Sequence, residues 1–262
     1  MKKLIFILVI FFFFILQTKA QFRGSYYMRS NYSRAKFYLG LGNYQKAIEY
    51  FTKALNEPNY TSNANALDIY YNRGLAKYRA HQFDDAITDF NTVIYNRPNY
   101  AKPYNCKGLC EFYSGNYKAA LADLNKAVTL EPHHAESYYF RSVINFHNQD
   151  YKLVIADCDT AILYNQSYVD AYTRRANAKY ITLDFEGAVS DYSQAIKHDW
   201  ENPQLYFCRG KAYYNLKNYD AANKDFYKAA KLDGNSQAYK ENLKLTNAVA
   251  KNSTRVAFSD NK

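Results

Sequence analysis

The chain has 262 residues, a net charge of +10 and a hydrophobic fraction of 48%. Its charged fraction of 22% is ordinary for a soluble folded protein. The basic residues are interspersed, and no run of Lys or Arg forms the patch that nucleic-acid binding needs, so we expect no nucleic-acid partner. Tyrosine is unusually frequent, with 29 copies.

Residues 1–20 have the order of a secretory signal peptide. Lys2 and Lys3 give a basic start, residues 4–16 are apolar, and Thr18, Lys19 and Ala20 supply small residues near a cleavage point. The apolar run is shorter than the roughly 17–25 residues of a membrane span. We therefore predict cleavage after Ala20 and no stable membrane insertion afterwards. The alternative is an N-terminal membrane anchor. Export to the periplasm or cell exterior, in a bacterial host, is the expected localisation.

After a polar lead-in at 21–27, the chain repeats with a period of 34 residues. Four columns keep the period: a tyrosine, a small residue, an aromatic residue and a second small residue. The columns are Tyr70, Tyr104, Tyr138, Tyr172 and Tyr206; Gly74, Gly108, Ser142, Ala176 and Gly210; Phe83, Tyr117, Tyr151, Phe185 and Tyr219; and Ala86, Ala120, Val154, Ala188 and Ala222. A fixed period in this range indicates a stacked array.

Each unit reads as two helices. In the third unit the apolar residues of 104–113 and 117–130 recur at intervals of three and four, which is one face of a helix. Gly115 interrupts the run and Pro132 ends it. A single hairpin cannot bury its apolar face, but stacked hairpins can.

The unit resembles the tetratricopeptide repeat (TPR). The residues that carry the resemblance in the third unit are Tyr104, Gly108, Phe112, Tyr117, Ala120, Ala127 and Pro132. The resemblance implies an all-α fold, a right-handed α-solenoid of six repeats with a C-terminal capping helix. The predicted repeats are 28–62, 67–100, 101–134, 135–168, 169–202 and 203–236; the capping helix is 237–251 and a disordered tail is 252–262. A longer loop is expected at 58–66.

No catalytic or metal-binding constellation departs from the repeat. The cysteines are expected to pack as small apolar residues, because no His or Cys at suitable spacing completes a metal site. They are Cys106, Cys110, Cys158 and Cys208. We therefore predict a protein that is not an enzyme and that has no metal and no cofactor.

Two charged columns also keep the period. The basic column is Arg73, Lys107, Arg141, Arg175 and Arg209, and the acidic column is Asp89, Asp123, Asp157, Asp191 and Asp225. Pairing within each repeat leaves only Arg34 without an aspartate, because Tyr50 stands in that place. Pairing with the next repeat would leave two unpaired residues. Since buried unpaired charges are strongly disfavoured, we predict pairs within repeats; the alternative is a charged binding stripe.

In the TPR family the first helices line a concave groove that binds extended peptides or partner helices. The resemblance therefore implies groove residues at the matching positions of this chain. They are Tyr71, Tyr78, Asn105, Phe112, Tyr113, Tyr139, Phe146, Asn177, Tyr180, Phe207, Lys211 and Tyr214. The family's carboxylate clamp of Lys and Asn is absent. We expect a protein or peptide partner; the alternative is a glycan or cell-wall ligand, because aromatic rings also suit sugar faces.

Overall fold

The computed structural model describes residues 30–57 and 63–259, and every secondary-structure element in these ranges is a helix. The predicted signal peptide and lead-in lie outside the described residues. The chain divides into two compact units, Met1–Leu130 and Glu131–Lys262. Each unit is an all-α solenoid of three helical hairpins, which confirms the predicted fold class.

The first unit contains six helices. They are α1 (Asn31–Gly40), α2 (Tyr44–Leu55), α3 (Asn63–Arg79), α4 (Phe83–Asn96), α5 (Ala101–Tyr113) and α6 (Tyr117–Leu130). Each helix packs on the next one, and the first helices α1, α3 and α5 also contact one another in sequence. The first helices of the three hairpins therefore lie side by side on one face of this unit.

The second unit repeats this arrangement and adds a final helix. Its helices are α7 (Ala135–His147), α8 (Tyr151–Tyr164), α9 (Val169–Ile181), α10 (Phe185–His198), α11 (Pro203–Asn215), α12 (Tyr219–Leu232) and α13 (Gln237–Ser259). Helix α13 packs on α12, and the Tyr239 hydroxyl donates to Gln204 Oε1 of α11 at 3.0 Å. The last hairpin is thus covered by α13, as expected for a capping helix.

Two boundaries differ from the prediction. Helix α3 begins at Asn63, so the predicted loop at 58–66 is too long. Helix α13 continues to Ser259, so the predicted tail at 252–262 is helical over most of its length. The prediction of the loop rests on a 39-residue spacing between Ala47 and Ala86 and on its Asn and Ser content. Neither helical extension contains Gly or Pro, the residues that interrupt helices most strongly.

Small residues set the distance between the two helices of a hairpin. A Cβ atom added at Gly74 would lie 2.8 Å from a ring carbon of Phe90, and one at Gly210 would lie 2.8 Å from Phe226. At Gly108 the corresponding distance to Leu124 is 3.0 Å. A larger residue at these positions would push the helices apart or displace the ring that fills the hairpin core.

Each turn between the two helices of a repeat contains one residue with a positive φ angle. The six residues are Gly42, His81, Gly115, Gln149, Leu183 and Lys217. Glycine adopts this conformation without a steric penalty. The other side chains are strained there, by an amount on the order of 1 kcal/mol or more.

The charged columns form ion pairs within each repeat, as predicted. Arg73 donates to both carboxylate oxygens of Asp89, at 2.7 and 2.9 Å. The same two-pronged contact joins Arg141 to Asp157, Arg175 to Asp191 and Arg209 to Asp225. All five aspartates are buried, so the columns are structural and not an exposed binding stripe.

Several of these arginines also bridge to the preceding repeat. Arg209 Nη1 donates to Ser193 Oγ at 2.9 Å, and Arg73 Nη1 donates to Thr52 Oγ1 at 3.2 Å. Arg175 Nη1 contacts the carboxylate of Asp159.

In four repeats the guanidinium lies over the ring of the periodic tyrosine, 5.2–5.8 Å from its centroid. Part of the tyrosine excess therefore supports the ion pairs.

In the first repeat, the periodic aspartate is replaced by an aromatic residue. Tyr50 occupies the place of the aspartate, and the guanidinium of Arg34 lies 5.8 Å from the centroid of its ring. The contact has the geometry of a cation–π interaction. The residue that the sequence left without an acidic partner thus meets an aromatic ring.

The third repeat has the weakest pair. Asp123 meets a single cation, Lys107, whose Nζ lies 3.2 and 3.0 Å from its two oxygens. In the second and fifth repeats a further lysine lies 2.9 Å from the aspartate, but the third repeat has Glu111 at that position. Burial raises the pKa of Asp123 despite Lys107, and Glu111 raises it further.

We predict that Asp157→Ala lowers the free energy of unfolding by roughly 3–5 kcal/mol, because it leaves Arg141 without its carboxylate in a buried site. Replacing Arg141 and Asp157 together by apolar residues of similar size should recover much of that loss. The measurement is a double-mutant cycle by chemical denaturation. Coupling of Asp157 to Arg175, with none to Arg141, would contradict the pairing within repeats.

We predict that Asp123→Asn costs less stability at neutral pH than Asp191→Asn, roughly 1–2 against 3–5 kcal/mol. Asp191 accepts from Arg175 and contacts Lys179, whereas Asp123 has only Lys107. The comparison is made by urea denaturation of both variants. Equal losses would show that the third pair is not weaker.

The pH dependence of Asp123→Asn provides a separate check. Because the pKa of Asp123 is raised above 3.8, the folded state keeps this proton when the unfolded state has lost it. This carboxyl therefore makes the free energy of unfolding fall as pH rises from about 3.8 through the folded-state pKa. Asparagine lacks this effect, so the variant should gain stability relative to the native protein over that pH range.

Candidate functional site

The first helices of the second unit enclose a pocket of about 240 Å³. We call it the groove pocket. It is lined by Phe146, Asn177, Tyr180, Ile181, Tyr192, Cys208 and Lys211. Four of the predicted groove residues, one from α7, two from α9 and one from α11, are therefore brought together here.

The hairpins hold the aromatic rings of this face in place. Phe146 packs edge-on against Tyr151 at 5.5 Å, and Tyr180 packs against Phe185 at 5.4 Å. Tyr214 meets Tyr219 in the same way at 5.4 Å. In each pair the second ring is the first residue of the following helix. These groove rings therefore pack partly in the hairpin and keep only part of their surface for the groove.

The floor of the groove pocket is a buried tyrosine from a second helix. Tyr192 on α10 is 2% exposed, and its hydroxyl donates to Asn177 Oδ1 at 2.6 Å. This bond orients the Asn177 amide with its Nδ2 group pointing the other way. Burial raises the pKa of Tyr192 and of the Cys208 thiol, so both groups stay protonated and neutral.

Lys211 is the charged residue among the seven that line the groove pocket. Its side chain is exposed, and its Nζ lies 5.3 Å from the Tyr180 ring centroid and 5.8 Å from that of Phe207. No carboxylate in the described part of the chain forms a salt bridge with it. The ammonium group is therefore available to an anionic ligand.

A second cation, Arg174, lies beside the predicted groove residues of α7. Its guanidinium is 5.0 Å from the Phe146 ring centroid. Burial raises the pKa of the Tyr139 hydroxyl, and the nearby positive charge of Arg174 acts in the opposite direction. Tyr139 also packs against Tyr168 at 5.0 Å. Phe207 is similarly engaged, at 4.9 Å from Tyr239 of α13. Tyr139 and Phe207 are half-buried and contribute to packing as well as to the groove face.

The first unit places its predicted groove residues less uniformly. Tyr113 is exposed and stacks on Phe83 at 5.7 Å, while Tyr71, Tyr78 and Phe112 are half-buried. Asn105 is only 7% exposed, so its assignment to the groove surface is wrong. The corresponding positions of the second, fourth, fifth and sixth repeats are Tyr71, Tyr139, Thr173 and Phe207, and all four are half-buried.

Sequence reasoning missed three residues of this region, Arg174, Tyr192 and Cys208. Cys208 directly follows the predicted groove residue Phe207, and Arg174 occupies the same position one repeat earlier, so the groove face is one residue wider than the prediction. Tyr192 falls in a column of core residues on the second helices. Its phenol oxygen was a usable signal, because a tyrosine in a buried column normally needs a hydrogen-bond partner.

The cysteines behave as packing residues. Cys106, Cys110 and Cys158 are buried and unbridged, and burial raises the pKa of Cys110 to about 12 and that of Cys158 to about 11.

Across residues 30–57 and 63–259, no cluster of three or more His, Cys, Asp or Glu side chains is arranged to hold a metal ion. Within the same ranges no helix combines the length and apolarity of a membrane span.

Sequence comparison finds three profiles of one repeat family in the chain. A profile described as TPR repeat matches residues 184–217. Two profiles described as Tetratricopeptide repeat match residues 29–57 and 203–236, and residues 107–170. The comparison with curated proteins gives no match.

Structural comparison finds similar solenoids. The crystal structure of MamA protein matches with a TM-score of 0.60 and 27% identity, covering 64% of this chain and 92% of MamA. YrrB, described as a TPR protein with an unusual peptide-binding site, matches at 0.64 and 17%, covering 74% and 98%. A tetratricopeptide repeat protein from Parabacteroides merdae matches at 0.57 and 19%, covering 82% and 97%.

The profile matches, the 34-residue period and the stacked helical hairpins point to the same family. They also agree with the position of the small and aromatic columns inside the hairpins. The chain belongs to the tetratricopeptide repeat family.

Proposed function

We propose that this protein is an exported, non-catalytic scaffold that binds a protein or peptide partner along the face formed by its first helices. The groove pocket is the observation that carries the proposal. It is preformed from residues of three consecutive repeats, and its rings are fixed by the hairpins. Among the described residues its lysine has no carboxylate partner. Fixed aromatic groups around a small apolar pocket are typical of protein-binding surfaces.

The fold itself supports a binding function. Tetratricopeptide repeats form interaction scaffolds, and members of the family are typically non-catalytic. The first helices of each unit are adjacent, and α9 and α11 are joined by the bond from Asn215 to the Tyr180 hydroxyl. A partner can therefore contact several repeats at once. An extended peptide or a helix satisfies this geometry, because both present side chains at regular intervals along a line.

A peptide explains the pocket better than a glycan. Sugars stack on open ring faces, but cations already cover rings here: Arg174 lies over Phe146 and Lys211 over Tyr180. The pocket volume of about 240 Å³ is also below the roughly 300–1,000 Å³ of typical small-molecule sites. One inserted side chain is the better match in size.

Export is part of the proposal because of the first twenty residues. Their order, two lysines followed by an apolar run and small residues, is that of a signal peptide. The partner would then be a protein of the bacterial periplasm or of the cell exterior. A membrane-anchored form of the same scaffold is the alternative.

We predict that Tyr214→Ser weakens partner binding by about 2 kcal/mol, because aromatic residues at interface centres cost that much on truncation. Tyr214 lies on α11 at the groove and is 39% exposed. Tyr227→Ser on α12, at 60% exposed, is the matched control and should leave binding unchanged. Affinity is measured by titration against the partner, and folding by thermal unfolding.

The partner for this titration is identified by photo-crosslinking in intact cells. A benzophenone amino acid at position 214 should give a covalent adduct with a protein, and the same group at position 227 should not. Adducts at position 227 alone would place the interface elsewhere. Retention of the protein on cell-wall polysaccharide, with no protein adduct from position 214, would favour the glycan alternative.

We predict that the protein isolated from its native host begins at Gln21. The order of residues 1–20 motivates this expectation. N-terminal sequencing of the purified protein provides the measurement. An intact Met1 on protein recovered from the membrane fraction would instead indicate the anchored form.

A further inference from the structure

We propose that the groove pocket receives one large apolar side chain from an internal segment of the partner, and that Lys211 pairs with an Asp or Glu side chain next to that anchor. Ile181 and Leu183 form an apolar lip that extends the contact beyond the pocket. This inference rests on the proposed binding function and names the chemistry of the partner at one site.

The walls of the groove pocket favour an apolar occupant. Phe146, Tyr180 and Ile181 present carbon surface, while the hydroxyl groups of Tyr192 and Tyr180 already have hydrogen-bond partners. The Tyr192 hydroxyl donates to Asn177, and Asn215 Nδ2 donates to the Tyr180 hydroxyl at 2.9 Å. An inserted apolar side chain therefore displaces water without breaking these hydrogen bonds.

The positive charge of Lys211 favours an acidic residue in the partner next to the anchor. Its ammonium is the one charged group among the seven lining residues, and it has no acidic partner among the described residues. The Tyr180 and Phe207 rings hold it at the pocket. A carboxylate placed beside the anchor would meet this exposed ammonium, and the partner itself would exclude part of the surrounding water, which strengthens the ion pair.

The carboxylate is assigned to a side chain and not to a chain terminus. Capture of a terminal carboxylate needs several converging donors, but among the seven lining residues only Lys211 is cationic. Arg174 lies over the Phe146 ring and does not line the pocket. Asn215 Nδ2, on the same helix as Lys211, is already bonded to Tyr180 and to the Lys211 carbonyl. One ammonium group is sufficient to pair with the side-chain carboxylate of an Asp or Glu inside a continuous peptide segment.

Leu183 supplies an independent observation. It has a φ of 66° and is 72% exposed, at a turn position where two other repeats have glycine. Neither folding nor solubility benefits from a leucine in this conformation at the surface. Its N–H donates to the Tyr180 carbonyl at 3.2 Å, and Ile181, two residues before it, lines the pocket. An exposed leucine thus stands two residues after a residue of the pocket wall, and we assign it a contact with the partner beyond the pocket.

The test is selection from a phage-displayed library, with the purified protein as bait. Each random 12-residue peptide in this library is flanked on both sides by coat-protein sequence, so it has no free terminus. Enriched peptides should share a Leu, Ile, Phe, Met or Trp next to an Asp or Glu. A parallel library with free C-termini separates the two sources of carboxylate. Enrichment from that library alone would overturn the internal assignment.

The charge is tested with one enriched peptide, synthesised with blocked ends. Lys211→Glu should weaken its binding by about tenfold, because attraction is replaced by repulsion. Lys224→Glu on α12 changes the net charge equally at an exposed position outside the pocket and should leave affinity unchanged. The acidic residue is not recognised by Lys211 if both variants, or neither, lose affinity.

The lip is tested with Leu183→Asn. Asparagine tolerates a positive φ better than leucine, so the melting temperature should stay the same or rise, while peptide affinity falls by about threefold to tenfold. A purely structural leucine would give the opposite result, a lower melting temperature with unchanged affinity. That result would remove Leu183 from the interface.

Failure of this inference can be told apart from failure of the proposed function. If peptides are enriched without an acidic residue, and their binding depends on Tyr214 but not on Lys211, the groove binds peptides and the assigned chemistry is wrong. If neither library gives enrichment and crosslinking from position 214 gives no adduct, both the inference and the proposed function fail.

Discussion

A buried carboxylate between two helices is the constraint that the rest of each repeat follows. An aspartate on the second helix is stable there only because a cation on the first helix reaches it with good geometry, and four repeats meet this need with a two-pronged arginine. The arginine then needs a surface for its own flat group, which the periodic tyrosine provides. Its remaining nitrogen reaches the preceding repeat in several cases. One electrostatic requirement thus fixes the hairpin and helps to fix the stacking.

The aromatic rings of the groove face are held in place by packing within the same hairpins. Its rings pack edge-on against the first residue of the following helix, so they are ordered before any partner arrives. Ordering a side chain in advance reduces the entropy lost on binding. The cost is that few groove residues are purely functional, and substitutions at half-buried rings such as Tyr139 affect stability and recognition together. Exposed positions such as Tyr214 and Lys211 separate the two effects better.

Periodicity explains why much of the fold could be predicted from the sequence. The 34-residue step located the hairpins, and counting unpaired charges gave the correct pairing of Arg141 with Asp157. Features that break the period could not be found in this way. The extension of α13 depends on the absence of a breaking residue, and Asn105 is buried at a position where other repeats have half-buried residues. The hydrogen bond from Tyr192 to Asn177 joins two columns that sequence reasoning treated separately, core and groove.

The single-lysine pair of the third repeat has a consequence for how the array moves. In a linear array each repeat is stabilised by its own hairpin and by its immediate neighbours, so local opening occurs where a hairpin is weakest. Lys107 offers Asp123 a single ammonium group, whereas four other repeats offer a planar guanidinium that binds both carboxylate oxygens. Glu111 also lies close to Asp123. Backbone amides of α5 and α6 should therefore exchange with solvent sooner than those of α9 and α10. The third repeat would then act as the compliant segment of the array, where the helices can separate and close again while the other hairpins stay folded.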